Sequence, residues 1–294
     1  MFKTSMLILL LNASFSLAGT WSVIDYPGAT LSTIFDIDDG YLVGRYIDSS
    51  GPHGFSYDGM DWATYDSPGA ITSDVWGTEV WAVDDGLIGG YYFSEPFKSH
   101  GFLYDGKNWS TLDYPGSSET AVLSISDDIA AGHYKDPAGK HHGFVYDQGN
   151  WQSYDMPGAE HTKIYQISGN KLGGYYISDS GAAHGFLYDG IDWNTIDFPG
   201  AESTYIFGFE GSNLIGCFTD EFGTNHGFFF DGADWLKLDA PGAVFTEVYG
   251  IDNDILVGLY GDKSGSWHGF SYIIPEPATL LLLGLGGLAL HRRK

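Results

Sequence analysis

The sequence predicts an all-β fold: a six-bladed β-propeller of four-stranded blades, closed by its own N-terminal strand joining the last blade. Three observations predict it. The phrase His-Gly-Phe occurs six times, at His53, His100, His142, His184, His226 and His268, with one step of 47 residues and four of 42. Trp21, Trp62, Trp109, Trp151, Trp193 and Trp235 each stand six residues before a Pro-Gly pair, at Pro27, Pro68, Pro115, Pro157, Pro199 and Pro241. Periods of about 40 to 45 residues holding several short strands are the signature of propeller blades. The phase of the repeat is the third observation. The body opens with the fourth-strand sequence Trp21 to Asp25 and ends with the third-strand sequence Gly269-Phe270-Ser271-Tyr272. Neither fragment makes a blade alone, and placed together they complete the sixth and remove two exposed sheet edges. An open solenoid of the same units would need capping repeats.

Taken in order, residues 1–18 read as a secretory signal. Lys3 precedes the apolar run Met6 to Leu11, and small residues end at Ser16-Leu17-Ala18, so signal peptidase would cut between Ala18 and Gly19. Residues 19–272 form the propeller. Unit four shows the pattern, with strands expected at Thr162 to Ile167, Leu172 to Ile177, Gly185 to Tyr188 and Trp193 to Asp197. Alternation puts Phe186 and Tyr188 on one buried face, as it does Phe102 with Tyr104 and Phe144 with Tyr146. Turns such as Asp38-Asp39-Gly40 and Asp105-Gly106 carry residues that tolerate positive φ.

Residues 273–294 close the chain. Pro275-Glu276-Pro277 precedes the apolar stretch Ala278 to Leu290 and the basic end His291-Arg292-Arg293-Lys294. As a helix that stretch would reach about 20 Å, short of a hydrocarbon core of roughly 30 Å. The order of polar motif, short apolar run and basic tail resembles the PEP-CTERM sorting signal. That resemblance implies transient insertion in the inner membrane, removal of the signal by an exosortase, and delivery to the cell surface or exopolysaccharide matrix. A simple tail anchor is the alternative. The phrases Asp-x-Pro-Gly-Ala, Gly250 to Tyr260 and His-Gly-Phe-x-Tyr-Asp-Gly resemble the extracellular HAF-type repeats, although Gly stands in every unit where that family has Ala. No reaction follows from this likeness.

Composition narrows the function classes. The chain of 294 residues carries 42 Gly, is 16% aromatic and only 17% charged, as suits turn-rich β structure. Its net charge of −25 would repel nucleic acid and anionic lipid headgroups, which excludes both as partners. Its one cysteine, Cys217, rules out an internal disulfide and reads as a small packed residue. The six histidines begin third strands and would lie too far apart to share zinc, so they read as structural. Acidic turns such as Asp127-Asp128 and Asp252-Asn253-Asp254 lack the six to eight oxygens that calcium takes. No metal or cofactor is therefore expected, with calcium stabilisation kept as a hypothesis.

Function is sought where the repeat breaks. Unit two carries an excess of five residues, with Ile71 to Gly77 and Phe93 to Lys98 departing from the pattern. Trp76, Phe93 and Phe97, near Glu95 and Lys98, are expected to form an aromatic ligand-binding patch on one face. Channel positions vary too, and Asp36, Arg45 and His133 would supply acid–base chemistry if they converged. The expected function is a non-catalytic exported surface or matrix protein that binds extracellular polysaccharide or a surface protein. A propeller glycosidase or lyase and a purely structural coat component are the alternatives.

Overall fold

The computed structural model describes residues 19–71 and 73–275. The expected signal peptide with Ala18, and Glu276, Pro277, Arg292, Arg293 and Lys294 of the sorting signal, lie outside the described residues. Everything described is strand and turn. After β1 (Thr20–Val23), units one to three comprise β2 (Leu31–Asp38), β3 (Tyr41–Asp48), β4 (Gly51–Tyr57), β5 (Trp62–Tyr65), β6 (Thr78–Asp84), β7 (Leu87–Glu95), β8 (Lys98–Tyr104), β9 (Trp109–Thr111), β10 (Glu119–Ser126), β11 (Ile129–Lys135), β12 (His141–Asp147) and β13 (Asn150–Tyr154). The rest are β14 (His161–Ser168), β15 (Lys171–Ile177), β16 (Ala183–Tyr188), β17 (Trp193–Thr195), β18 (Ser203–Glu210), β19 (Asn213–Thr219), β20 (Asn225–Phe230), β21 (Trp235–Leu238), β22 (Phe245–Asp252), β23 (Ile255–Gly261) and β24 (Trp267–Ile273).

This is a β-propeller arrangement of four-stranded blades. Strands β6–β9, β10–β13, β14–β17 and β18–β21 make four antiparallel meanders in sequence order. The other eight strands form one sheet, in which β22-β23-β24-β1 and β2-β3-β4-β5 are joined by a single parallel bridge between Leu31 and Trp267. First strands touch in the order β2, β6, β10, β14, β18, β22, and β22 returns to β2. β1 lies antiparallel on β24, Trp21 opposite Tyr272 and Val23 opposite Phe270. The two ends of the body are therefore zipped together as the phase of the repeat predicts.

Each unit is built by the same local rules. The first hairpin turns through positive φ, 45° at Asp39 and 80° at Gly40, the geometry that suits the strand twist. Every first strand then slips register by one residue, between Ile34 and Asp36 in β2 and at the equivalent place in the five others. At that bulge the second strand must carry glycine. A Cβ on Gly44, Gly90, Gly132, Gly174, Gly216 or Gly258 would come within 2.1 Å of a first-strand carbonyl oxygen. The glycine of His-Gly-Phe is equally confined, since a Cβ there would stand within 3.0 Å of a backbone carbonyl at or just beyond the end of the fourth strand in all six units. Alanine, the HAF-type residue, has no room.

The core follows the repeat. Phe55, Phe102, Phe144, Phe186, Phe228 and Phe270 are the largest fully buried side chains. Each packs on the fourth-strand tryptophan at 4.8 to 5.2 Å, and Phe270 finds its partner in Trp21, from the other end of the chain. Burying an aromatic ring of this kind is worth about 3 kcal/mol. Every repeated histidine lies on a second-strand ring at 5.0 to 5.3 Å, stacked in five units and tilted by 37° where His226 meets Phe218. Its Nδ1 meets the aspartate of Asp-x-Pro-Gly at 2.7 to 2.8 Å, in the pairs His53–Asp66, His100–Asp113, His142–Asp155, His184–Asp197, His226–Asp239 and His268–Asp25. The histidine thus fastens the third strand to the connection that leaves the fourth. The same contact corrects one expected boundary. β17 stops at Thr195 rather than Asp197, because Asp197 turns its carboxylate back onto His184 and the Gly185 amide, the latter at 3.1 Å.

Candidate axial pocket

The bulges place the site. The residue left unpaired at each register slip, Phe35, Trp81, Leu123, Tyr165, Phe207 or Tyr249, is the one that meets its counterparts near the axis. Phe35 stacks on Trp81 at 3.7 Å, Phe207 on Tyr249 at 4.6 Å, and Tyr165 contacts Phe207 at 4.9 Å and Trp81 at 5.9 Å. A bulge re-aims a side chain that strict alternation would send elsewhere. The result is an aromatic plug with a residual cavity of about 10 Å³.

On one side of the plug opens a pocket of about 630 Å³, floored by Phe35, Trp81 and Tyr249 and walled by Arg45, Glu79, Tyr91, Asn225, Phe245, Glu247 and Trp267 among others. Glu79 is 5% exposed and fully engaged. It accepts from Arg45 Nη1 at 2.6 Å, Trp81 Nε1 at 3.0 Å and the Tyr91 hydroxyl at 2.8 Å. The adjacent carboxylate holds the Arg45 guanidinium above its ordinary pKa, and burial followed by the Glu79 charge pushes the Tyr91 phenol well up. Arg45 Nε has no hydrogen-bond partner. Glu247 accepts from Asn225 Nδ2 at 2.7 Å and from the Tyr249 hydroxyl at 2.5 Å. Burial and then the Glu247 charge raise Tyr249 well above its usual pKa.

On the other side lies a pit of about 340 Å³ whose lining includes Asp36, Asp38, Asp84, Glu210 and Asp252. These carboxylates bind the neighbouring unit. Asp38 accepts from the Asp85 amide at 3.1 Å, Asp84 from Asp127 at 2.8 Å, and Glu210 from Asn253 at 3.2 Å. Asp36 accepts from Val83 N at 3.1 Å, and burial pushes its carboxyl up to about 7. Among the described residues no group of three or more His, Cys, Asp or Glu is placed to hold a metal ion.

The expected trio of Asp36, Arg45 and His133 does not converge. Arg45 lines the larger pocket and Asp36 the far side of the plug, while His133 packs on His141 at 5.3 Å, lining neither. A shared position in the repeat sets height along the axis, and each unit then points it from a different angle. Cys217 is buried and its thiol is pushed well up by burial, in keeping with a packed residue.

The unit-two aromatics do meet. Trp76 lies 4.5 Å from Phe93 and 4.9 Å from Phe97. Phe97 is 75% exposed, at a two-residue turn with φ 62°, and Glu95 and Lys98 pair across that turn at 3.0 Å. Phe93 in turn contacts Tyr91 edge-on at 5.6 Å, so the patch runs into the pocket wall. Glu79 and Glu247 escaped sequence reasoning. Their column, with Thr33, Ala121, Lys163 and Tyr205 at the other units, carries no pattern of residue type, although it is regularly paired just before each bulge.

Two Ser-His-Asp relays also occur. Ser94 Oγ lies 2.9 Å from His100 Nε2, and Ser50 Oγ 2.8 Å from His53 Nε2, each with aspartate on Nδ1. In other units a carboxylate takes the serine's place, Asp136 at 3.4 Å and Asp220 at 3.2 Å. A hydroxyl that exchanges with a carboxylate is a hydrogen-bond partner of the fastening histidine, not a nucleophile.

Comparison with known proteins agrees with this architecture. The PEP-CTERM protein-sorting motif matches residues 274–294, which indicates export and processing at the C-terminus. No curated protein matches the chain in sequence. Among solved structures, a mutant Aleuria aurantia lectin in complex with α-methyl-L-fucoside superposes with a TM-score of 0.53 at 13% identity, over 85% of this chain and 93% of the lectin. SapL1 lectin in complex with α-methyl fucoside gives 0.53 at 16% identity, over 79% and 88%. A mutant of AofleA from Arthrobotrys oligospora gives 0.56 at 13% identity, over 86% of each chain. At such identities the likeness is one of fold.

Proposed function

We propose that this chain is an exported six-bladed propeller, spanning residues 19–272, that binds polysaccharide through the axial pocket and the unit-two aromatics. The observation that carries the proposal is the pocket of about 630 Å³, aromatic in floor and rim, with Arg45, Glu79, Asn225 and Glu247 converging on it. Concave, mostly apolar sites with a few convergent polar groups are where ligands bind, and aromatic faces stack on the apolar faces of sugars. A count of six is supported by taking the eight-stranded sheet as two blades, with the single Leu31–Trp267 bridge a contact between neighbours. The Aleuria aurantia lectin, similar at a TM-score of 0.51, is described as a six-bladed propeller with a fucose recognition mode, which supports both the count and the ligand class. The sorting motif supports exosortase processing and a place at the cell surface or in the exopolysaccharide matrix.

A glycosidase needs two carboxyls flanking one bond, one of them protonated. Glu79 and Glu247 share the pocket, but Glu79 is tied to Arg45 as its counter-ion, which favours binding over hydrolysis. Affinity electrophoresis and a glycan array with the purified protein test the proposal. Trp267→Ala and Phe97→Gly should each weaken binding about ten-fold, the loss of one stacking platform. Phe97→Gly also relieves a left-handed phenylalanine, so its melting temperature should hold or rise. Binding that survives both substitutions intact would move the site elsewhere.

A further inference from the structure

We propose that the polysaccharide taken by the axial pocket carries free, protonated amino groups, as a de-N-acetylated amino-sugar polymer does, and that Glu247 receives the ammonium. This inference rests on the glycan-binding reading above.

The pocket holds two carboxylates in unequal states. Glu79 is neutralised by Arg45 at 2.6 Å. Glu247 has only neutral donors, the Asn225 amide and the Tyr249 phenol, and among the described residues no Lys, Arg or His nitrogen lies within 4.0 Å of it. A carboxylate in a concave, aromatic-walled site keeps its full field there, because low-dielectric walls focus it. A ligand ammonium would supply the missing counter-charge and one charge-assisted hydrogen bond. The surroundings suit a cation as well. Tyr249 forms part of the floor, and Phe245 and Trp267 meet edge to face at 5.4 Å on the same wall, so aromatic π-faces stand close to where the ammonium would sit. Arg45 lines the same pocket but is spent on Glu79, so its charge does not serve Glu247. At longer range the body, with its charge of −25, attracts polycations and repels uronate chains.

The test is calorimetric titration of the full chain, at low salt and mildly acidic pH, with glucosamine oligomers, N-acetylglucosamine oligomers, alginate oligomers and a lysine-rich peptide. The glucosamine oligomer should bind about ten-fold or more tightly than its acetylated form, the ratio one charged hydrogen bond supplies. Glu247→Gln should erase that ratio without moving the melting temperature, and Glu247→Asp should recover part of it. For the unsubstituted protein, affinity should fall as salt rises and as pH rises through the ionisation of the ligand's own amine. Equal binding of acetylated oligomers, or a preference that persists in Glu247→Gln, overturns the inference while leaving the glycan reading intact. Tighter binding of the lysine peptide overturns it in favour of a protein partner. Binding to none of the glycans sinks the underlying reading itself.

Discussion

Buried titratable side chains couple this fold to pH in two opposed ways. His133 and His141 sit side by side, each with Nδ1 buried and unpartnered, near Lys163. Burial, then the Lys163 charge, drives His133 far down and His141 to about 3. Below the ordinary histidine value of 6.5 the unfolded chain therefore binds protons that the folded one refuses. Stability from this pair is complete above 6.5 and is lost as pH falls toward 3. Asp36 works the other way. Its carboxyl titrates near 7 when folded and 3.8 when unfolded, so its contribution is complete below 3.8 and drains away as pH rises through 7. The three-unit gap corresponds to a few kcal/mol. Melting curves from pH 4 to 8 should accordingly show His141→Phe flattening the acid limb and Asp36→Asn gaining most at pH 8. A parallel shift of either variant at every pH would refute this assignment. Asp36 and His133 could be picked from the sequence as variable points in the repeat, while His141 could not. Their burial could not, because neighbouring units supply the atoms that bury them.

Among the elements, the hairpins and the bulge differ in how openly they announce themselves. Asp-Gly turns and the Phe-x-Tyr alternation read directly, since a turn needs positive φ and a half-buried strand needs period two. The bulge writes no such motif. Its trace is the shared glycine of the partner strand, and yet it turns Trp81 and Tyr249 to the axis and makes the pocket floor. β1 is the element on which closure depends. It covers the β24 edge, and it brings Trp21 to Phe270 at 4.9 Å and Asp25 to His268 at 2.7 Å. Asp25→Ala should cost about 1 to 2 kcal/mol in urea denaturation, the loss of its partly exposed hydrogen bonds to His268 and to the Gly269 amide. Deleting residues 19–25 should do far more, broadening the transition and producing aggregates by size-exclusion chromatography through the bared edge. A monodisperse, fully cooperative deletion variant would show that closure is not needed.

For the molecule as a whole, the charge of −25 spread over a small body is a source of self-repulsion that salt should relieve. Raising sodium chloride from 10 to roughly 500 mM should lift the melting temperature by several degrees. Calcium should add nothing beyond its ionic strength, because the acidic turns spend their carboxylates on neighbouring amides. A specific calcium increment at matched ionic strength would contradict that. The sequence by itself determined the repeat, the all-β character, the buried phenylalanine of each unit, the pairing of the two chain ends and the sorting signal, because each depends on residues at a fixed spacing along one chain. Only the tertiary structure decided which side chains share the pocket. Arg45 and Glu79 come from neighbouring units and Glu247 from the far end of the chain, each in regular pairing beside a register slip, and no one-dimensional spacing encodes the angle around the axis at which they meet.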